Sequence, residues 1–175
     1  MAPILPFTSE EIWKFMPMTQ GKEESIHIAS LPSAKKEWKD EALAGRWKKI
    51  LEVRGEVTKA LEEARAKKLI GHSLDASVAI SADKELFTLL ERYSDELKTI
   101  FITSRVLLSD NGSLPGAVEN REIKGLYISV EPAPGKKCER CWIYDLSVGT
   151  VSEEPGVCNR CRNALGEIRK PPVAE

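Results

Sequence analysis

Four cysteines fall in two Cys-x2-Cys pairs, Cys138 with Cys141 and Cys158 with Cys161, sixteen residues apart, and they account for every cysteine in the chain. Two residues between paired cysteines let one tight turn present both sulfurs to a metal, at about 2.3 Å from a tetrahedral zinc. The spacing lies in the range of zinc ribbons and knuckle pairs. The stretch between the pairs is expected to form a hairpin, Ile143 to Leu146 against Val148 to Val151 with Gly149 near its turn, which would bring the knuckles together. The knuckles are alike, Cys138-Glu139-Arg140-Cys141 and Cys158-Asn159-Arg160-Cys161, which suggests a pseudo-twofold site. Four thiolates leave no open coordination position, so one zinc held here is structural. A module of about thirty residues with few apolar side chains needs the roughly 10–16 kcal/mol of metal coordination to offset its chain entropy. A thioredoxin-type dithiol is the competing reading of each pair, but neither pair is expected to open a helix after a strand inside a βαβ unit.

The chain balances 26 Lys and Arg against 27 Asp and Glu over 175 residues, so any nucleic-acid surface has to be a local cluster. No apolar run approaches membrane-spanning length, and the apolar, proline-broken start Met1 to Phe7 has neither the basic lead-in nor the cleavage site of a secretory signal. A soluble, cytoplasmic protein is the expectation, in which the cysteines are thiols or metal ligands and not disulfides.

Along the chain the texture changes twice. Thr8, with Glu11 completing a capping box, marks a helix start running to Met16 before Pro17. Ser25 to Ala29 alternates like an extended segment, with His27 on its polar side. A long helix follows, from about Lys35 or Asp40 to Lys68, with an apolar stripe of Leu43, Trp47, Ile50, Val57, Leu61 and Ala64. That stripe calls for a helical partner, and part of it, along Leu43, Trp47 and Ile50, is expected to be exposed where Ile12, Trp13, Phe15 and Met16 do not reach. Arg54 falls in the gap of the stripe, either packing its stem and pairing with a carboxylate or facing RNA. His72, after Gly71 at the helix end, is placed to meet the last carbonyls.

Beyond Gly71 the pattern is that of a small α/β unit. Strands are expected at Ala76 to Ile80, Arg105 to Leu108 and Leu126 to Val130, and helices at Asp83 to Arg92 and Asp95 to Phe101. Gly112 and Gly116 read as turn residues. Pro132, Pro134 and Gly135 form a stiff hinge into the cysteine segment. The expected architecture is therefore α+β and multidomain: a helical bundle fragment over 1–71, an α/β junction domain over 72–132, a four-cysteine zinc ribbon or finger over 133–166, and a tail over 167–175.

Lys136, Lys137, Arg140, Arg160 and Arg162 all lie within two residues of a cysteine, and Trp142 directly follows Cys141. Some of this positive charge can neutralise a zinc tetrathiolate, and Trp142 can serve as core beneath the knuckles. The functional reading is single-stranded RNA, with cations on phosphates beside an aromatic face on which a base stacks.

Several ordered motifs resemble the C-terminal end of the bacterial-type isoleucyl-tRNA synthetases. They are Ala2 to Thr8 with Glu10-Glu11-Ile12-Trp13, Ser25 to Ile28, Ala60 to Arg65 leading to Ile70 to Ala76, and Lys137 to Trp142 with the second knuckle. The resemblance implies the last helices of a class I anticodon-binding bundle, a junction domain, and a terminal zinc finger lying towards the anticodon end of isoleucine tRNA. It also implies a parent enzyme, a monomer, that joins isoleucine to its tRNA with ATP and Mg. The H-I-G-H and K-M-S-K-S signatures of the catalytic domain are absent here, as is the editing insertion, so this chain by itself is expected to bind tRNA without aminoacylating it. Two alternatives stand beside this. A formamidopyrimidine-type DNA glycosylase ends in a zinc finger of the same layout, but its N-terminal proline nucleophile has no counterpart in Met1-Ala2-Pro3-Ile4. A protein-interaction zinc ribbon would have no nucleic-acid role.

Overall fold

The computed structural model of the chain describes residues 1–110 and 117–168, so the expected turns at Gly112 and Gly116 and all but the first two residues of the expected tail lie outside the described residues. By packing the chain divides into two units, residues 1–41 and 42–175.

In the first unit, helix α1 spans Pro6–Phe15 and starts three residues earlier than a Thr8 cap predicts. Pro6 sits in the first turn, where its missing amide costs nothing and its fixed φ suits the helix. Leu5 occupies the cap position without a side-chain bond, so the expected Thr8–Glu11 capping box does not form. At the other end the Lys22 ammonium donates to the Trp13 and Met16 carbonyls, both at 2.7 Å, satisfying acceptors the helix leaves open. Residues 25–29 form turns, not a strand, because Glu10 gathers them: its carboxylate accepts the Ser25 hydroxyl at 2.8 Å and the Ile26 amide at 3.1 Å. The Ser25 bond holds the Glu10 carboxyl below its ordinary value, and the His27 Nε2 lies 4.0 Å from the same oxygen.

The second unit is built on a four-stranded sheet of order β2-β1-β4-β3. Its strands are β1 (Ala76–Ser81), β2 (Arg105–Ser109), β3 (Val118–Glu119) and β4 (Tyr127–Pro132). β1 runs parallel to β2 and antiparallel to β4, in a register that aligns Val78 with Val106 and Val130, and Ile80 with Leu108 and Ile128. Those residues share one face. The crossover from β1 to β2 is supplied by α3 (Lys84–Glu91) and α4 (Ser94–Phe101), as a parallel pair requires.

The long helix α2, Glu41–Ala66, completes that core. Val53, Val57, Leu61 and Ala64 cluster with Ala76, Val78 and Ile80 of the sheet and with Leu90, Leu97 and Phe101 of the short helices. The partner of its stripe is thus a sheet with two short helices, and not the helical bundle that periodicity alone suggested, since a 3.6-residue stripe carries no record of what it packs against. Ile50 is fully buried, whereas Leu43 and Trp47 stay 39% and 36% exposed, so the expected patch shrinks to those two. Tyr93 covers an edge of Trp47 at 6.0 Å between ring centroids. Arg54 spends its Nε–H on the Ile100 carbonyl at 2.9 Å, a main-chain acceptor where a carboxylate was expected.

Capping marks the joints. Asp83 accepts the Leu86 amide at 2.9 Å and so starts α3, and we expect Asp83→Ala to lower stability by about 1 kcal/mol, read as a shift in the urea midpoint with the slope unchanged. α2 ends in a Schellman turn, the Leu69 amide reaching back to the Ala64 carbonyl at 2.9 Å. The residue holding the left-handed position of that turn is Lys68, at φ 58°, where glycine is the favoured occupant. His72 does not meet the last carbonyls of α2 as predicted; its Nδ1 accepts the Leu74 amide and starts the short 3-10 turn Ser73–Asp75. Among the described residues no helix is long and apolar enough to cross a membrane.

Candidate metal centre and nucleic-acid face

The cysteine segment leaves the sheet through Gly135, whose φ of +97° lets the chain double back against Asp145; a Cβ there would lie 2.5 Å from the Asp145 carbonyl carbon. A two-stranded ribbon follows, β5 (Lys136–Lys137) paired with β6 (Tyr144–Asp145). This ribbon encloses the first knuckle, and it differs from the hairpin predicted between the pairs: Val148 to Val151 form a turn around Gly149 at φ +91°. The alternation in 143–146 identified one strand correctly, but its partner lies upstream of Cys138.

The first knuckle closes with the Cys138 amide on the Ile143 carbonyl at 2.8 Å and the Trp142 amide on the Cys138 carbonyl at 2.9 Å. The second opens helix α5, Asn159–Ile168, a feature not expected from the sequence although the Ala164-Leu165 pair lies at helical spacing from Cys161. The pseudo-twofold likeness therefore ends at the knuckles, since one leads into a strand and the other into a helix. Among the described residues no βαβ unit surrounds either pair, the setting a thioredoxin-type dithiol needs. The knuckles are tied to each other by the Glu139 amide on the Gly156 carbonyl at 2.9 Å and by the Cys158 amide on the Cys138 sulfur at 3.3 Å.

All four sulfurs lie within 4.8 Å of one another, with Cys141 and Cys158 at 3.8 Å. A tetrahedral zinc with bonds of about 2.3 Å has sulfur–sulfur edges of about 3.8 Å, so the donor set fits that ion. Cys138, Cys158 and Cys161 are buried and Cys141 is half-buried, with Val148, Ile143 and Val157 packed around them. The electrostatics point the same way. Burial pushes the Cys138 thiol up, and the amides of Cys141, Cys158 and Arg140 outweigh it, bringing the pKa down to about 6. Burial and the neighbouring sulfurs push Cys141 up to about 12, and burial raises Cys158. Thiols this close cannot all ionise in the absence of a cation, and a bound divalent metal inverts that penalty.

The residues expected to meet RNA separate into two groups. Lys136, Lys137, Arg160 and Trp142 are exposed, and Trp142 at 62% exposure and φ 66° is plainly not core. Arg140 is exposed but directs Nη1 to the Cys161 sulfur at 3.6 Å. Arg162 is half-buried and donates to the Asn159 side chain. Sequence reasoning also missed Ser104, which joins the module to the sheet: its hydroxyl donates to the Leu74 carbonyl at 2.5 Å and accepts the Tyr144 amide at 2.7 Å.

Residues 1–80 match the anticodon-binding domain of tRNA ligases, and residues 135–164 match the zinc finger found in FPG and IleRS. The second description covers both a glycosylase and a synthetase, so relatives over the whole length decide between them. An isoleucine–tRNA ligase from Geobacter sulfurreducens is 49% identical over 167 residues, 94% of this chain and 18% of the relative. Along 94% of its length the chain is thus similar to one segment of an isoleucine–tRNA ligase. Isoleucine–tRNA ligases from Moorella thermoacetica, 41% identical over 96% of the chain, and from Syntrophotalea carbinolica, 45% identical over 92%, are similar along the same segment; the chain covers 18% and 17% of their lengths. It thus spans under a fifth of the curated relatives it matches.

Proposed function

We propose that this segment is the anticodon-end, tRNA-binding part of an isoleucine–tRNA ligase, with one structural zinc on Cys138, Cys141, Cys158 and Cys161. The observation that carries the reading is Trp142, a large aromatic ring held outward beside a ligand turn, with Arg160, Lys136 and Lys137 left without ion pairs among the described residues. Cations that track phosphates beside an open ring are what an unpaired RNA strand binds. Arg140 contributes by neutralising sulfur charge, and Arg162 by supporting the start of α5. The boundary at residue 132 between the sheet and the zinc module belongs to the same proposal.

The partners are isoleucine tRNA and the rest of the synthetase chain, in a cytoplasmic monomer. Isoleucine activation needs ATP and Mg, which belong to a nucleotide-binding domain whose signatures this segment does not carry; the segment alone is therefore inactive in aminoacylation. Arg160→Ala in the parent ligase should weaken tRNA binding several-fold and lower the slope of log affinity against log salt by about 0.7–0.9, the change expected when one phosphate is no longer neutralised. A slope unchanged in zinc-loaded protein would instead favour a protein-interaction role for the module.

A further inference from the structure

Where the end of α2 faces the zinc ribbon lies a cleft of about 560 Å³, bordered by Lys68, Ile70, Asp75, Pro132 and Tyr144. That volume is within the range of about 300–1,000 Å³ for small-ligand sites. Its walls draw on the two stretches, Ala60 to Arg65 and Ile70 to Ala76, that carry part of the family resemblance and for which the zinc module offers no use.

Three observations give the cleft a chemistry. Lys68 occupies the left-handed position of the Schellman turn, a conformation that glycine, and less often asparagine or aspartate, adopts readily, and its ammonium has no partner among the described residues. A residue held in a costly conformation at a cleft points to a function at that position. Tyr144 is half-buried on the wall, and its cross-strand partner in the ribbon is Lys137, so the exposed Lys137 stands on the same side as the phenol ring. On the wall, one oxygen of Asp75 accepts the Gly71 and His72 amides at 3.1 and 2.7 Å. The other oxygen accepts nothing among the described residues. Arg65, also on the wall, is held by Glu62 through Nη1 at 2.5 Å and by the Gly71 carbonyl through Nε at 3.2 Å.

We propose that this cleft receives one unpaired nucleotide of the bound RNA, its phosphate on Lys68 and Lys137, its base against Tyr144, and an amino or ring N–H of the base donating to Asp75. The order follows from charge: the Asp75 carboxylate rejects a phosphate, and the ammonium groups of Lys68 and Lys137 attract one. The inference rests on the RNA-binding reading of this segment and extends it from the knuckle to the cleft.

The test separates the two readings. Isoleucine tRNA transcribed with thiouridine is crosslinked to the parent ligase and the modified peptides are mapped. The expected result is modification at both Trp142 and Tyr144. Modification at the knuckle alone overturns the cleft and leaves the RNA reading standing, and modification at neither overturns both. Loss of the Tyr144 crosslink alone in saturating ATP or AMP would assign the cleft to a free nucleotide and overturn the RNA assignment. A second arm uses Lys68→Gly, which removes the ammonium while relaxing the backbone. It should raise the melting temperature of the chain by about 2–4 °C, weaken tRNA binding several-fold, and lower the salt slope by about 0.7–0.9. A stabilised variant with unchanged affinity and slope would show that Lys68 only terminates a helix, and the proposal would fall.

Discussion

The reduced chain should contain about one zinc per molecule, and Cys158→Ser should lose both the metal and the fold of residues 136–168. Coordination by four thiolates is on the order of 10–16 kcal/mol at neutral pH, far beyond what Val148, Ile143 and Val157 can contribute around the sulfurs. Serine removes a buried ligand and leaves three thiols too close to ionise together. The sheet should survive this, because its core is built from Val78, Ile80, Leu90, Leu97 and α2 with no cysteine among them, and the Pro132–Gly135 joint carries few bonds across. Hydrogen exchange would check the result: amides of β1 and β4 should keep their protection while those of the ribbon and α5 lose it. Collapse of protection throughout the sheet and the module would show them to be one cooperative unit, coupled by Ser104 and by the Ala133 amide, which donates to the Asp75 carbonyl at 2.7 Å. Metal-free protein at full fold would remove the zinc reading altogether. Metal uptake has a further signature. Cys141, pushed up to about 12, and Cys158, raised above the ordinary thiol value, are protonated at neutral pH. Zinc must displace those protons, so uptake acidifies an unbuffered solution, and affinity rises with pH over the neutral range.

What the sequence made legible follows from how local each signal is. The cysteine spacing is a short-range constraint, and it located all four sulfurs now within 4.8 Å. β1, α3, α4 and β2 were readable because a period of two or 3.6 survives in segments as short as Ala76–Ser81. The errors arise where a distant residue decides. Residues 25–29 alternate like a strand, but without a neighbouring strand to complete its ladder the backbone follows the Glu10 carboxylate into turns. The ribbon partner of 144–145 was misassigned because register depends on Gly135 doubling back on Asp145, a contact no pattern in 142–157 records. The stripe of α2 was found and its partner mistaken, since the pattern says that a face is buried and not by what. At the site, spacing could not separate Arg140 and Arg162, which turn to sulfur and to Asn159, from Arg160, which stays open.

Trp142→Ala should weaken tRNA binding by about 1–3 kcal/mol, roughly fivefold to 150-fold, with the salt slope unchanged. The ring is 62% exposed and follows a zinc ligand directly, so the ring itself contributes little to the core that surrounds the sulfurs. Its positive φ argues that truncation will not harm the turn, since the left-handed region suits alanine no worse than tryptophan. A base or ribose stacked on the ring is uncharged where the two meet, hence no counterion is released with it and the slope should not move. This distinguishes the ring from Arg160, whose removal should lower the slope. In the parent ligase the change should appear as a higher KM for tRNA, while isoleucine-dependent ATP–pyrophosphate exchange, which needs no tRNA, stays at the unmodified rate. Trp142→Phe should recover part of the affinity, because a smaller ring still stacks, whereas Trp142→Leu should not, although both keep an apolar side chain there. Recovery by leucine equal to that by phenylalanine would make the interaction hydrophobic packing against a protein surface. With zinc bound and charging kinetics untouched by all three substitutions, the module would be a structural cap, and the RNA face would have to be sought elsewhere on the chain.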